Sequence, residues 1–364
     1  MKLKAITSYL EGVAPLSLQE SYDNSGLQVG DPNMEVSGII ISLDITEEVL
    51  TEALRHGYNL IVAHHPLIFG GLKKITGQGS TERIIMSAIK EGVAIYAGHT
   101  NFDAIGKGVN HYLAEKVGLS EIGILSPVGN ILRKVVVFVP EDHVDKVRTA
   151  MFEAGAGHIG AYDSCSFNTK GIGTFKGSEE SNPFAGEKEK FHKEPETRIE
   201  TIIPASGVKK VISAIKGAHP YDEVAYDIYP LLNEHEYVGM GMVGELKEAI
   251  GEEQFLAHLK NIFDAKGIRH SKLSGKTVKR VAVCGGSGSF LIKEAIASGA
   301  DVFVTGDFKY HQFFEAENRI VIIDIGHYES EQFTLDLFYE LLTKKFPKFA
   351  VRKSEVNTNP IKYF

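Results

Sequence analysis

The sequence is poor in cysteine and contains no long apolar run. Cys165 and Cys284 are the two cysteines among 364 residues, so a disulfide framework is excluded and a reducing, cytoplasmic compartment is expected. No apolar stretch is long enough to span a bilayer, and the opening MKLKAITSYLEGV lacks the apolar core of an export signal. These absences predict a globular cytoplasmic protein with no membrane partner.

Positive charge is also in deficit. Lysine and arginine number 39 against 47 acidic residues, which gives a formal net charge of -8. This balance argues against a surface devoted to nucleic acid. The basic segment 272–280 is interpreted as a solvated loop, so nucleic acid is not the expected partner.

The sequence shows no covalent catalytic machinery. No serine or cysteine pairs with a histidine and a third group, and both cysteines are interpreted as core thiols. The segment GGSGS at 285–289 follows a predicted strand, but it lacks the lysine of a P-loop and does not match the dinucleotide fingerprint. We therefore interpret it as a tight turn in preference to a phosphate cradle, and expect any catalysis to depend on metal ions.

Two parts of the chain share an alternating pattern of strands and helices. Residues 37–63 predict a strand, a helix capped by Thr46 and a second strand, and residues 280–331 repeat the plan. An offset of 242 residues places His65 on Asp307, and after one change in loop length an offset of 228 places His99 on His327. We therefore predict two pseudo-symmetric α/β halves whose strand ends build one metal-binding site.

The segment between the halves has another pattern. From about 130 to 242 the order β-α-β-β-α-β predicts a ferredoxin-like α+β unit, with a long polar loop at 177–196. The predicted divisions are 1–128 and 244–364 for the two halves and 129–243 for the inserted domain. A spacer or oligomerisation module is the preferred role for the insert, with ligand binding as the alternative.

Five residues at strand ends form a candidate metal-binding set. Adjacent histidines end a predicted strand, and His327 and Glu331 lie four residues apart on one face of a predicted helix, HYESEQFTLDLFYELL. Asp103 follows His99 with the same spacing. Three imidazoles and two carboxylates suit two divalent ions sharing a carboxylate, with zinc first and Mn, Fe, Co or Ni as alternatives. The predicted ligands are His64, His65, Asp103, His327 and Glu331.

Four further polar residues have open roles. His99 and Asp307 complete the pseudo-symmetric set and are candidate ligands, partners that orient a ligand, or turn residues. Asp23 and Asn24 either reach the site or build a local turn. No catalytic residue is assigned, although a free His99 would be able to move protons.

The motifs SYDNSGLQVGDP, IVAHHPLIF, GHTNFDA, VTGDFKYHQ and DIGHYESE together resemble those of the YbgI/YqfO family of GTP cyclohydrolase I type 2 homologues. The resemblance implies a dinuclear metal centre at the five positions named above, and a toroidal homohexamer. The middle segment, with GAGHIGAYDSCSF and HPYDEVAYDIYPL, is similar to the PII/CutA-like insert of the longer bacterial members.

Two classes of function remain open after this resemblance. The first is a metal-dependent hydrolase acting on GTP, a related nucleotide or a pterin. The second is a non-catalytic protein for metal handling or regulation, in which the insert senses a ligand. A nucleic-acid binder is a third, less favoured hypothesis.

Overall fold

Fifteen strands, arranged in three sheets, run through the computed structural model, which describes residues 1–364. In chain order the strands are β1 (Gly26–Val29), β2 (Ile39–Ser42), β3 (Leu60–Ala63), β4 (Ala94–Ala97), β5 (Leu119–Pro127), β6 (Leu132–Pro140), β7 (Phe167–Lys176), β8 (Phe191–Pro204), β9 (Tyr226–Leu231), β10 (Gly239–Gly251), β11 (Arg269–His270), β12 (Thr277–Ser287), β13 (Val302–Gly306), β14 (Val321–Asp324) and β15 (Val351–Lys353).

Eleven α-helices connect or cover the strands, and none has the length and apolar character needed to cross a membrane. In chain order they are α1 (Leu3–Val13), α2 (Glu47–Arg55), α3 (Ser80–Glu91), α4 (Thr100–Asp103), α5 (Val109–Val117), α6 (Val144–Glu153), α7 (Val208–Ala218), α8 (Glu252–Ile262), α9 (Ile292–Ala297), α10 (His327–Glu331) and α11 (Thr334–Lys345). The predicted mixed α/β class is confirmed.

The chain divides into two compact units, of which the first comprises residues 1–127 and 237–364. This unit contains two sheets, with strand orders β1-β4-β3-β2-β15 and β11-β14-β13-β12-β10-β5. At the centre of each sheet three strands run parallel, β2-β3-β4 in one and β12-β13-β14 in the other. All residues of β2, β3 and β4 are buried, as expected for parallel strands covered on both faces.

The register of the two parallel cores follows the predicted pseudo-symmetry. Ile39 pairs with Leu60 in one sheet, and Val281 pairs with Val302 in the other, which is the same pairing displaced by 242 residues. The edge strands depart from this simple division: β5 follows the first core but lies in the second sheet, and β15 follows the second core but pairs with β2. Each half of the sequence therefore contributes an edge strand to the sheet of the other.

Two helical segments after β13 depart from a regular α-helix. The single helix predicted from His327 onward is divided into α10 and α11, and the segment Tyr310–Ala316 is a 3-10 helix. Near the division, the Ser330 hydroxyl donates to the His327 carbonyl at 2.8 Å. Such a bond competes with the regular helical ladder and favours a bend. The helix predicted after Thr46 is confirmed, and the Thr46 side chain accepts from the amide of Val49.

The second unit comprises residues 128–236 and has a four-stranded antiparallel sheet in the order β7-β8-β6-β9. Alternate residues of β6 belong to a core shared with α6 and α7, so these helices cover one face of the sheet. The β-α-β-β-α-β order is ferredoxin-like. β7 begins at Phe167, so Cys165 lies before the strand. Cys165 is half-buried and is not the core thiol that was predicted, whereas Cys284 is buried.

Candidate metal centre

The five predicted ligand residues of the first unit lie together at the carboxyl ends of its parallel strands. His64 and His65 follow β3 directly, Asp103 ends the short helix after β4, and His327 and Glu331 are the first and last residues of α10 after β14. The carboxyl ends of parallel strands are where α/β proteins collect functional groups. The structure therefore brings groups from both halves of the sequence into one place.

Four imidazoles at this place are oriented in the same way. Each places its Nδ1 atom at hydrogen-bonding distance from an oxygen acceptor, so in the neutral imidazole Nδ1 carries the proton and Nε2 has a lone pair. This pattern orients histidines that bind metals in proteins. The pairs are His64 with the Gly98 carbonyl at 2.8 Å, His65 with Asp44 at 2.7 Å, His99 with Asp23 at 2.7 Å, and His327 with Asp307 at 2.7 Å.

One group of donor atoms surrounds Oε2 of Glu331. This oxygen lies 2.9 Å from Nε2 of His65 and 3.0 Å from Nε2 of His327, and the two imidazole nitrogens are 3.2 Å apart. Two imidazoles and one carboxylate converging at this distance could hold a divalent ion.

A second group of donors faces the other carboxylate oxygen. Glu331 Oε1 lies 3.6 Å from Nε2 of His64, which in turn lies 3.8 Å from Oδ1 of Asp103. Both His64 Nε2 and Asp103 Oδ1 are buried and have no hydrogen-bond partner. Because unpaired buried polar atoms are costly, these atoms fit a cation bound between them. His99 also qualifies by position, since ligand atoms of His64, His65 and His99 lie within 4.8 Å of one another.

The charged groups at the site shift one another's pKa values. Burial alone would lower the pKa of His327, but the carboxylates of Glu331 and Asp307 raise this pKa to about 11. Burial likewise opposes protonation of His65, yet Asp44 and Glu331 raise its pKa to about 9. Without metal, both side chains are therefore positively charged imidazolium groups at neutral pH.

The pKa values of three other buried groups at the site are also shifted. Burial lowers the pKa of His64, so this imidazole is neutral at neutral pH. Burial and the neighbouring charge of Glu331 raise the pKa of Asp103. Burial would raise the carboxyl pKa of Glu331, but the positive charge of His327 and the hydrogen bond that it donates lower this pKa. Glu331 is thus the principal negative charge of the centre.

An irregularity near the end of β12, where the register shifts between Val283 and Ser287, makes room for that carboxylate. Gly286 has φ +60°, and a Cβ atom added there would lie 2.3 Å from Glu331 Oε1. Nearby amides are already used: Gly285 donates to Asn110 at 2.8 Å and Gly286 to the Ser330 hydroxyl at 2.9 Å. The segment 285–289 thus comprises the end of β12 and the start of a 3-10 helix at Ser289. Because its first amides already have partners, this close strand-to-helix connection is favoured over a phosphate cradle.

Several polar residues around the site had open roles in the sequence, and the structure shows the partners of each. Asp307 is the partner of His327, and Asp23 accepts hydrogen bonds from His99 and Thr100. Asn24 has a local role, because its backbone N–H donates to the Asp23 carboxylate at 2.6 Å. Asp44, the partner of His65, was not predicted, although it follows the buried strand β2 closely and the same strand-end argument applies to it.

Four of the five predicted ligands, namely His65, Asp103, His327 and Glu331, line a cavity of about 560 Å³ within the first unit, whereas His64 is fully buried. Its lining includes three largely exposed aromatic side chains, Tyr22, Phe69 and Phe290. A volume of this size is within the range of small-molecule sites. The combination of apolar rings and charged donors at the base is suited to a planar polar ligand.

Comparison with known proteins places the chain in a family. The family described as Duf34/NIF3 (NGG1p interacting factor 3) matches residues 1–360. The chain belongs to the Duf34/NIF3 family. The relationship drawn from the motifs is confirmed at this level.

Individual members of the Duf34/NIF3 family match over nearly their whole length. A protein of Halalkalibacterium halodurans named GTP cyclohydrolase 1 type 2 homolog is 40% identical, with 99% of this chain and 98% of the relative covered. A Bacillus subtilis protein of the same name is 38% identical, with coverage of 98% and 97%. The crystal structure of a Bacillus cereus protein related to NIF3 is 41% identical, covers 100% of this chain and 99% of its own, and superposes with a TM-score of 0.86.

Proposed function

We propose that the protein binds two divalent metal ions per chain at the five residues His64, His65, Asp103, His327 and Glu331. The observation that carries this proposal is the Glu331 carboxylate, whose two oxygens face two different groups of donors. A carboxylate in this position suits a bridge between two ions. Mixed nitrogen and oxygen donors favour zinc, with Mn, Fe, Co or Ni as alternatives.

We further propose that the bound centre makes the protein a metal-dependent hydrolase acting on a nucleotide or related small molecule. Two divalent ions at such a centre supply Lewis-acid catalysis of hydrolysis. Around them, Tyr22 and Phe69 offer faces on which a planar base can stack. His99, held through Nδ1 by Asp23, presents Nε2 for a ligand or a proton. The names of the relatives support a substrate such as GTP.

A non-catalytic role in metal handling or regulation is the second candidate. The second unit contains its own cavity of about 800 Å³, lined by Phe138, Phe175, Phe184 and Tyr221 together with Arg198, among others. Such a cavity supports ligand sensing by a PII/CutA-like insert. In either function we propose a cytoplasmic homohexamer, which the resemblance of the motifs supports and which light scattering would test.

Metal content and turnover, measured on the same samples, separate the two functions. Wild-type protein and a His327→Ala, Glu331→Ala double variant are loaded with zinc, desalted, and analysed for metal per chain and for loss of GTP. Two ions and turnover that both disappear in the variant support the hydrolase. Two ions without turnover of GTP or other nucleotides support metal handling or regulation, and absence of metal from the wild type contradicts both.

A further inference from the structure

A segment near residue 358 crosses the edge of the candidate metal centre. After β15 the chain continues without regular structure through residues 354–364, and Asn359, Pro360 and Ile361 line the same cavity as His65 and His327. We name residues 354–361 the strap.

Hydrogen bonds to β2, α2 and α10 hold the strap. Ser354 donates its amide N–H to Ile41 of β2 at 2.8 Å and its hydroxyl to the buried Glu52 of α2 at 2.5 Å. Farther along, Asn359 donates to Glu329 of α10 at 3.0 Å. The strap is therefore anchored at both ends, on elements from the two halves of the sequence.

Between these anchors, Thr358 contacts the metal centre through one intermediate residue. The Thr358 hydroxyl donates to Oδ2 of Asp44 at 2.6 Å, while Oδ1 of the same carboxylate accepts from Nδ1 of His65 at 2.7 Å. Nε2 of that imidazole faces Glu331 at 2.9 Å. A continuous chain of bonds thus joins the strap to a donor atom of the centre.

We propose that Thr358 is a positioning residue for the metal centre. By holding one oxygen of Asp44, its hydroxyl fixes the carboxylate so that the other oxygen keeps His65 in the tautomer and ring orientation that leave Nε2 free for an ion. The Asp44 side chain is 34% exposed, so without Thr358 it is free to turn toward water and release His65. This inference rests on the proposed metal binding.

The test removes the hydroxyl and measures metal binding without relying on turnover. Metal-free wild type and Thr358→Val are titrated with Co²⁺, and the affinity is obtained by chelator competition while visible absorption reports ligand geometry. Direct hydrogen-bond partners of ligands contribute about 10–100-fold to affinity. Because Thr358 acts one residue farther out, we expect a loss of about 3- to 10-fold, a changed Co²⁺ spectrum, and recovery in Thr358→Ser.

Two controls separate positioning from general loss of structure. Thr343→Val removes a hydroxyl that donates to the Tyr339 carbonyl on the exposed surface of α11, and it should leave Co²⁺ binding unchanged. In an Asp44→Asn background, Thr358→Val should add little further loss, since its effect passes through Asp44. Thr358→Ala provides a second removal of the hydroxyl, should the valine perturb folding.

The possible outcomes have distinct meanings. Wild-type affinity and spectrum in both Thr358→Val and Thr358→Ala overturn the positioning role while leaving the metal proposal intact. A loss that Thr358→Ser does not restore, or that persists in full in the Asp44→Asn background, also overturns it. Failure of the wild type to bind Co²⁺ overturns the proposed function itself and the inference with it.

Discussion

Replacing Glu331 by glutamine tests the proposed bridge between two metal ions. Glutamine keeps the size of the side chain but removes its charge and one acceptor oxygen. Because Oε1 faces His64 at 3.6 Å and Oε2 faces His65 and His327 at 2.9 and 3.0 Å, the change affects both donor groups. We therefore expect Glu331→Gln to lose both ions together.

A lower bound for the loss of metal affinity comes from residues that do not bind the metal directly. Loss of a residue that only orients a ligand already weakens metal binding by about 10–100-fold, so loss of the ligand itself should exceed about 100-fold at each position. A 100-fold loss corresponds to about 2.8 kcal/mol of binding free energy per ion. At free zinc about ten times the wild-type dissociation constant, the wild type is nearly saturated at both positions, whereas Glu331→Gln should retain about a tenth of its metal.

Asp103→Asn is the matched control for this prediction. Its Oδ1 atom lies 3.8 Å from His64, and Asp103 does not belong to the group formed by His65, His327 and Glu331. Elemental analysis after equilibrium dialysis should give two ions in the wild type, one in Asp103→Asn and none in Glu331→Gln. One retained ion in Glu331→Gln, or equal loss in the two variants, would refute the assignment of Glu331 as the bridge.

Three further predictions concern pH, backbone space and metal removal. The pKa values of metal-free His65 and His327 are raised to about 9 and 11, so a bound zinc ion must displace a proton from each imidazole. Calorimetry should therefore show zinc affinity rising with pH up to about 9, by as much as about tenfold per pH unit for each proton displaced. The same shifts stabilise metal-free protein fully below pH 6.5, and this contribution should be lost as pH rises through 9 to 11. Gly286→Ala and the control Gly299→Ala both place alanine at positive φ, and each should lower the free energy of unfolding in denaturant by about 1 kcal/mol. Gly286→Ala alone should also lose metal, because its Cβ atom meets Glu331, whereas nothing lies within 4 Å of a Cβ atom at Gly299. Chelation should destabilise wild type by about 2.7 kcal/mol per site relative to free metal at 100 times the dissociation constant, and equal unfolding curves would contradict this.

Local sequence patterns were sufficient for the elements that carry the centre. Unbroken apolar runs predict buried parallel strands, and side chains that directly follow such strands share one edge of a sheet. These patterns predict that His64, His65 and Asp103 lie near His327 and Glu331, and in the structure their donor atoms are neighbours. Their binding of metal stays a prediction.

Details that depend on competing bonds were beyond local patterns. The break after α10 depends on where the Ser330 hydroxyl donates, and a periodic pattern of apolar residues does not record such a bond. In the same way, β7 begins at Phe167, after Cys165, where its pairing with β8 across a long loop begins. Propensity is weak where long-range pairing decides the register.

By itself, the sequence determined the alternating strands and helices of the two related α/β halves, the element order of the insert and the donor residues at the strand ends, because these follow from periodicity and spacing along the chain. Tertiary structure alone decided which edge strands the halves exchange, that Asp44 and Asp307 hold imidazoles, and that the strap reaches Asp44. These are contacts between residues up to 314 positions apart in sequence. Such contacts form only when burial of apolar faces brings the sheets together, and no local pattern encodes them.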